Sequence, residues 1–390
     1  MLRDVRNEYV SIDAAARQYG VVVVGDPQRD PEGLRLDETA NARSAPLGRR
    51  RRTDMQGITF RGDGTVELKE FAEPRPGHGE VVVKIRASGM CGSDLHFYHG
   101  NFEFDHSVVQ GHEPCGEVYA VGEGVSEAQA MPGDRVMIHH YFGCGTCRRC
   151  RAGWPQMCET APGKTMSIHV NGGHAPYALV PVTSLLPMPD ALSFKAGAAI
   201  GCGTGTAWGA IKRLGGVEDT VTVVIGQGPV GLSATMFAAA MGAKVIAVDV
   251  DDRRLAQTFG ADVVVNSRSQ DLVAIVSEHT GGRLADVVME TSGRATDDAL
   301  SVLGTFGRVV FTGLPGEVAF TTQAVYTKQW TLMTSWTMSS IEQARCADFV
   351  VAHDLPVDEL YSHTWRIDQA AEAYQWFDKQ DAGKGVFAFD

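Results

Sequence analysis

A glycine triplet set between a strand and a helix limits this chain's fold more than any other feature. Gly226, Gly228 and Gly231 spell G-x-G-x-x-G directly after the apolar run TVTVVI and directly before PVGLSATMFAAAMG. In that context the first glycine permits a tight turn, the second lets backbone approach a pyrophosphate, and the third lets helix and strand pack closely. The helix start, with Pro229 at an undemanding position and Val230 behind it, turns unpaired N–H groups and a positive dipole end toward phosphate. KVIAVD, DVVV, DVVMET and RVVFTG follow at intervals filled by helical segments such as QDLVAIVSEHTG, and WTLMTSW would add a sixth strand. Apolar strands alternating with helices predict a parallel sheet covered on both faces, over residues 205–336. Asp249 ends the second strand, eighteen residues after Gly231. A carboxylate there accepts hydrogen bonds from both adenosine ribose hydroxyls and repels a 2′-phosphate, which favours NAD over NADP. Arg254 lies close enough in sequence to approach the same ribose, and would also tolerate a phosphate. A glycine turn without cofactor, and Asp249 as a helix cap, are the plainer alternatives.

The cysteines carry the second constraint. Of eight, four fall at Cys144, Cys147, Cys150 and Cys158, giving C-x2-C-x2-C-x7-C. Four thiolates on a short loop suit tetrahedral zinc and leave no open position, so this site is expected to be structural. Free thiols and an iron–sulfur cluster are the alternatives. A dispersed set comprises Cys91 in GMCGSDLHFYHG, His112 and Glu113 in GHEPCGE, and Cys202 in AIGCGTGTAWG. Two cysteines and a histidine with a fourth position open make a catalytic zinc arrangement. Taken singly, each also reads as a buried cysteine or a hydrogen-bonded core histidine.

Length and charge bound the rest. The 390 residues allow two domains, and a net charge of −12 argues against nucleic-acid binding, which needs a basic face. No apolar run reaches membrane-spanning length, and MLRDVRNEYV lacks a signal-peptide core, so a cytoplasmic protein with no membrane partner is expected. Residues 1–54 read as a poorly structured extension, polar and short of aromatics, from a gene fusion or an upstream start. The arginine run from Arg49 to Arg52 reads as solvated linker. Residues 55–204, with EVVVKIRA, CGEVYAVG and RVMIHH, predict an all-β barrel-like domain. Residues 337–390 are read as helix-rich and returning to that first domain.

C-G-S-D followed by GHE, the four-cysteine lobe, G-x-G-x-x-G and a closing GKGVF together resemble the zinc-dependent medium-chain alcohol dehydrogenase family over about residues 57–390. The threonine dehydrogenase-like and polyol dehydrogenase-like branch is the most similar. The resemblance implies an α/β molecule: a GroES-like β-barrel catalytic domain plus a doubly wound Rossmann coenzyme domain. It implies two Zn2+ ions per subunit, NAD with NADP less favoured, a small-molecule alcohol as substrate, and a homodimer or homotetramer. Cys91, His112 and Cys202 match the catalytic zinc ligands, and Glu113 matches a glutamate that can approach the metal. Asp94 matches the carboxylate orienting the ligand histidine. Ser93 and His96 match proton-relay positions, and Thr206 a threonine near substrate and nicotinamide. Cys202 departs from the polyol pattern, which often has glutamate there. Gly92 stands where some relatives carry a pyrophosphate-binding arginine, and Lys384 is the nearest basic substitute. Separately, DVRNEYVSIDAAARQYGVVV near the N-terminus resembles the C-terminal tail of the hydantoinase B family.

The expected reaction oxidises an alcohol to a ketone or aldehyde, the metal acidifying the hydroxyl and hydride passing to the nicotinamide. The proton would leave through Ser93 and a cofactor ribose hydroxyl to His96. His139 and His140, following the G-D-R-V turn, are read either as polar lining for a secondary or polar alcohol, or as packing beside the zinc lobe. L-threonine 3-dehydrogenase and polyol dehydrogenase activities are specific forms of this reading. A zinc-free quinone or enoyl reductase, and a non-catalytic zinc-containing binding protein, are the competing ones. WTLMTSW could pair edge to edge across subunits.

Overall fold

The computed structural model describes residues 54–257, 259–381 and 383–390, and before them only the pairs Val23–Val24 and Arg35–Leu36. The chain divides into two units, Met1–Asp54 and Met55–Asp390. In the first, Val23 pairs with Leu36 and Val24 with Arg35 in an antiparallel ladder that sequence reading did not anticipate. The rest of this stretch, with most of the hydantoinase-like segment and the arginine run, lies outside the described residues.

In the second unit, the valine-rich alternating segments build a seven-stranded sheet. Leu185–Pro187, Arg135–Ile138, Glu113–Val121 and Glu80–Gly89 lie side by side, each antiparallel to its neighbour. The long strand Glu80–Gly89 takes Tyr177–Pro181 along its first half and Lys384–Ala388 along its last three residues. Alternate residues point to one side, where Val81, Val83, Ile85, Val118, Val136, Ile138, Ala178 and Val180 form the barrel core.

The strand–helix rhythm forms a six-stranded parallel sheet in the order Val263–Asn266, Lys244–Asp249, Val221–Ile225, Ala285–Glu290, Leu303–Phe311, Thr331–Thr334. Numbered along the chain this is 3-2-1-4-5-6, the order of doubly wound dinucleotide-binding sheets. Its two faces feed separate cores. Val223, Ile225, Val288 and Val309 enter one, and Val224, Val287, Met289 and Val310 enter the other. That explains why the strands are apolar throughout rather than alternating.

Two regions carry elements that the sequence reading did not place. Residues 337–390 supply helices Ser340–Ala352 and Ala370–Asp378, but also strands Tyr361–Trp365 and Lys384–Ala388, which pair in parallel and enter the barrel sheet. The strand YSHTW was missed because it carries polar side chains on much of its length and lies at a sheet edge. Helix Gly203–Leu214 spans the expected boundary at 204/205, so a helix joins the two domains there. Its side chains Ala207, Ala210, Ile211 and Leu214 lie in the same core as Leu232, Phe237 and Val350.

Candidate active site and metal centres

Three separate turns deliver the dispersed donors. Cys91 follows strand Glu80–Gly89 and precedes helix Asp94–Tyr98, His112 and Glu113 open strand Glu113–Val121, and Cys202 caps helix Gly203–Leu214. One donor atom from each of Cys91, His112, Glu113 and Cys202 lies within 4.8 Å of all the others. The Cys91 and Cys202 sulfurs are 3.8 Å apart and not bonded as a disulfide. Zn–S bonds of ~2.3 Å in a tetrahedron separate two sulfurs by about 3.8 Å, so this donor set fits zinc.

The surroundings hold the donors in place. His112 Nδ1 lies 3.0 Å from Asp94 Oδ1, which fixes the ring and leaves Nε2 available as a donor. The other Asp94 oxygen accepts from the Cys91 N–H at 2.9 Å, so one carboxylate orients two of these donors. Ser93 Oγ sits 3.2 Å from both Cys91 Sγ and His112 Nε2. The hydrogen bond with Cys202, against the effect of burial and with help from His112, holds the Cys91 thiol well below its usual range. Burial opposes charge on His112, but Asp94 and the Cys91 thiolate raise its imidazole well above the usual value.

Glu113 is caged. Lys384 Nζ lies 2.9 Å and 2.7 Å from its two carboxylate oxygens and donates to Met90 O at 2.7 Å. Burial pushes the Glu113 carboxyl up, and the Lys384 ammonium pulls it back toward the ionised form. A Cβ on Gly89 would come within 2.1 Å of Glu113 Oε2, so only glycine fits beneath the cage. Lys384 is therefore a buried counter-ion, 1% exposed, and the expectation that it grips pyrophosphate is overturned. In the closing GKGVF, Gly385 is equally constrained, since a Cβ would meet Met90 Sδ at 2.5 Å.

In the four-cysteine lobe all donor sulfurs again lie within 4.8 Å, with Cys144–Cys150 at 3.9 Å and Cys147–Cys158 at 4.0 Å. Backbone N–H groups point at the sulfurs: Thr146 and Cys147 donate to Cys144, Cys150 and Glu159 to Cys147, and Cys144 to Cys158. Such donors stabilise thiolates. The Thr146 and Thr160 hydroxyls and these N–H groups bring Cys144 down to about 5, and Thr160 heads the groups that bring Cys158 to about 7.

The glycine motif behaves as its spacing demands. Gly226 has φ +90°, and a Cβ on Gly231 would stand 1.6 Å from Gly226 O. A Cβ on Gly228 would meet nothing within 4 Å, so open space lies above the N-terminus of helix Pro229–Ala240, where a pyrophosphate belongs. Val230 follows Pro229 in that first turn. Asp249 accepts from the N–H groups of Gln227, Val250 and Asp251 at 2.6, 2.7 and 3.1 Å, so it anchors the glycine loop as well as closing its strand. Arg254 Nη1 is 3.8 Å from Asp249, while the rest of its guanidinium donates to the carbonyls of Asp381 and Gln380.

The remaining candidates divide. Thr206 is half-buried one turn after Cys202, its N–H bonded to Cys202 O at 2.7 Å. His96 is half-buried with its ring centroid 4.7 Å from that of Phe102. His139 is held by Gln343 at 2.8 Å and Gln156 at 3.5 Å, which makes it packing beside the lobe. His140 bonds Gly201 O at 3.1 Å and lies 5.1 Å from the His112 ring, bordering the metal donors. Burial keeps both imidazoles neutral. Sequence reading missed His174 and Tyr374, which stand behind Asp94, and the double glycine in NGGHAPY was the available signal.

Comparison with known proteins agrees with this geometry. Residues 77–190 match the alcohol dehydrogenase GroES-like domain, and residues 229–352 match the zinc-binding dehydrogenase domain. The chain is 37% identical to the uncharacterized zinc-type alcohol dehydrogenase-like protein YphC of Escherichia coli, over 84% of this chain and 97% of that one. It is 32% identical to the L-threonine 3-dehydrogenase of Pyrococcus abyssi, over 82% and 94%. Among solved structures, an alcohol dehydrogenase from Thermus sp. ATN1 superimposes with a TM-score of 0.78 and 29% identity, covering 86% of this chain and 99% of that one. With both zinc-donor sets, the glycine loop and these relatives in hand, the chain belongs to the zinc-dependent medium-chain alcohol dehydrogenases and is an NAD(P)-dependent oxidoreductase.

Proposed function

We propose that this dehydrogenase oxidises a secondary or otherwise polar alcohol to a ketone or aldehyde, with NAD as hydride acceptor. One contact carries the reading. Cys202 directly precedes Gly203, and a Cβ on Gly203 would lie 4.0 Å from both Pro229 and Val230 of the phosphate-loop helix. Thr204 and Ser233 join the same two helices by a hydrogen bond of 3.0 Å. A metal donor and a dinucleotide loop are thereby held on adjoining helix ends.

Cys91, His112 and Cys202 would hold the zinc, which supplies a Lewis acid that lowers the pKa of a substrate hydroxyl. Ser93, 3.2 Å from two of these donors, would accept the hydroxyl proton as it gives up its own, which passes through a cofactor ribose hydroxyl to His96 and on to solvent. Thr206, one turn beyond Cys202, orients the substrate. Lys384 restrains Glu113, whose carboxylate is otherwise near enough to join the donors. Cys144, Cys147, Cys150 and Cys158 would hold a second, structural zinc. Asp249 favours an unphosphorylated ribose, hence NAD, while Arg254 beside it would tolerate a phosphate. The neutral His140 beside the donors favours substrates with a second polar group, a class that includes L-threonine and polyols.

The test is NADH formation, followed by absorbance, with L-threonine, polyols, 2,3-butanediol and simple alcohols, each with NAD and NADP. Turnover of the polar substrates with NAD is expected. A preference for unsubstituted primary alcohols would overturn the substrate class, and a preference for NADP would overturn the ribose argument.

Three further readings belong with this one. The working limits are an extension over 1–54, a catalytic domain over 55–204 and 337–390, and a coenzyme domain over 205–336. Among the described residues, strand Thr331–Thr334 ends the parallel sheet as an edge, and pairing there would give a homodimer or a tetramer built from it. No described helix is long and apolar enough to cross a membrane, and we place the enzyme in the cytoplasm.

A further inference from the structure

Behind the catalytic donors runs a chain of buried polar groups to which the mechanism assigns no task. Tyr374, on the C-terminal helix, donates from its hydroxyl to Asp94 Oδ2 at 3.2 Å. His174 Nε2 lies 2.8 Å from that hydroxyl, and Ser88 Oγ lies 2.8 Å from His174 Nδ1. Ser88, His174 and Tyr374 are fully buried, and Asp94 is 1% exposed.

The direction of every bond follows from its end. The Tyr374 hydroxyl has a single hydrogen, and it goes to Asp94 Oδ2. The phenol oxygen then accepts from His174 Nε2–H, and His174 Nδ1 accepts from the Ser88 hydroxyl. Burial brings His174 down to about 4, which keeps the ring neutral as this pattern requires. The chain ends on Ser88, inside strand Glu80–Gly89 with no exposed surface, so it has no outlet for a proton. It can orient but not conduct.

A second observation ties it to the metal donors. Gly111, the glycine of GHE, has φ +90°, and a Cβ there would stand 2.3 Å from His174 Nδ1. Gly173 N–H bonds Gly111 O at 2.7 Å, and His174 N–H bonds Gln110 O at 2.8 Å. The segment Gly172–His174 therefore clamps the backbone immediately before His112, while its imidazole reaches through Tyr374 to the carboxylate that orients His112.

We propose that Tyr374 and His174 are positioning residues for the catalytic zinc. They fix the Asp94 carboxylate, and the C-terminal helix reaches the metal site through them. This rests on the zinc reading of Cys91, His112 and Cys202.

The test is metal competition on the full-length protein, with a chelator and with Co(II) replacing zinc. In the Tyr374→Phe variant the catalytic ion should be lost about 10- to 100-fold more readily and the Co(II) visible spectrum should shift, while the four-cysteine site keeps its ion. His174→Ala should show the same selective loss. His174→Gln, which retains an N–H able to reach Tyr374, should restore affinity and spectrum. Unchanged spectra and affinities in Tyr374→Phe and His174→Ala would overturn the proposal. So would equal loss of both ions, which marks general destabilisation. Should Tyr374→Phe fail to fold, the Ala/Gln pair at His174 decides alone. A wild-type protein without an ion at the dispersed site would instead sink the zinc reading itself.

Discussion

The two donor sets contain similar atoms at similar spacings but are built in opposite ways. Cys144 to Cys158 close over fifteen residues, with sulfurs 3.9 to 4.0 Å apart across the pairs and N–H groups of the same loop turned toward them. Cys91 and Cys202 are 111 residues apart in sequence, yet their sulfurs are 3.8 Å apart. Loop closure constrains the first set cheaply, because closure entropy grows with loop length. The second exists only after a barrel strand, a loop and the inter-domain helix have packed. The lobe can thus be a local clip, whereas the dispersed set reports on the whole fold. It is also the set with a caged glutamate, a serine against its donors and a polar chain behind it.

Removing a donor from each should separate them most sharply. His112→Ala should reduce turnover on the order of 1,000-fold, since a Lewis acid contributes several kcal/mol to such a step. Its melting temperature should fall only by the several degrees that leaving the buried Asp94 carboxylate without its partner costs. If stability collapses instead, the dispersed site is structural and the contrast is broken. Acid should discriminate next. His174 is held neutral to about 4, while an unfolded histidine takes its proton near 6.5. The unfolded state therefore binds more protons between those values. Stability should be full above pH 6.5 and fall by roughly 3 kcal/mol as pH drops toward 4. Denaturant titrations should show this slope flattened in His174→Gln, and an unchanged slope would remove His174 as its source.

Cys150→Ser should expose the lobe to protease and lower the melting temperature on the order of 5 °C. The lobe is tied to the helix Ser340–Ala352 side of the molecule, by Ser340 N–H to Gly153 O and by Gln156 to Met338 O. Retention of one zinc, detected by metal analysis, would confirm that the clusters load independently. The smallest effect is expected from Gly231→Ala. Its Cβ cannot coexist with Gly226 O, so the glycine loop must shift and dinucleotide affinity should fall about tenfold, near 1.4 kcal/mol. Fluorescence titration would measure this, and both ions should remain bound. Loss of an ion would mean that the loop supports a metal site as well.

Much of this was legible in the residues. The glycine loop, its flanking strands and the four-cysteine lobe are sequence-local, so spacing alone gave their geometry. The strands Tyr361–Trp365 and Lys384–Ala388 were not legible, because each is defined by the sheet it enters rather than by its own pattern. Lys384 looked like a free cation near the C-terminus, and only its insertion beside Glu113 shows it to be a buried counter-ion. His139 and His140 are neighbours in sequence, but one packs on Gln343 and the other borders the metal donors, as alternation along an extended chain dictates.

What the sequence by itself determined was therefore the short-range arrangement: which four thiols gather on one loop, which helix start follows the glycine turn, and the strand–helix rhythm that makes a parallel sheet. Tertiary structure decided which distant side chains meet, namely Cys91 with Cys202, Glu113 with Lys384, Asp94 with Tyr374, and Tyr374 with His174. The reason is one of range. Backbone geometry fixes the relations of residues a few positions apart, but contacts across a hundred positions arise only from the packing of apolar faces, which no local spacing encodes.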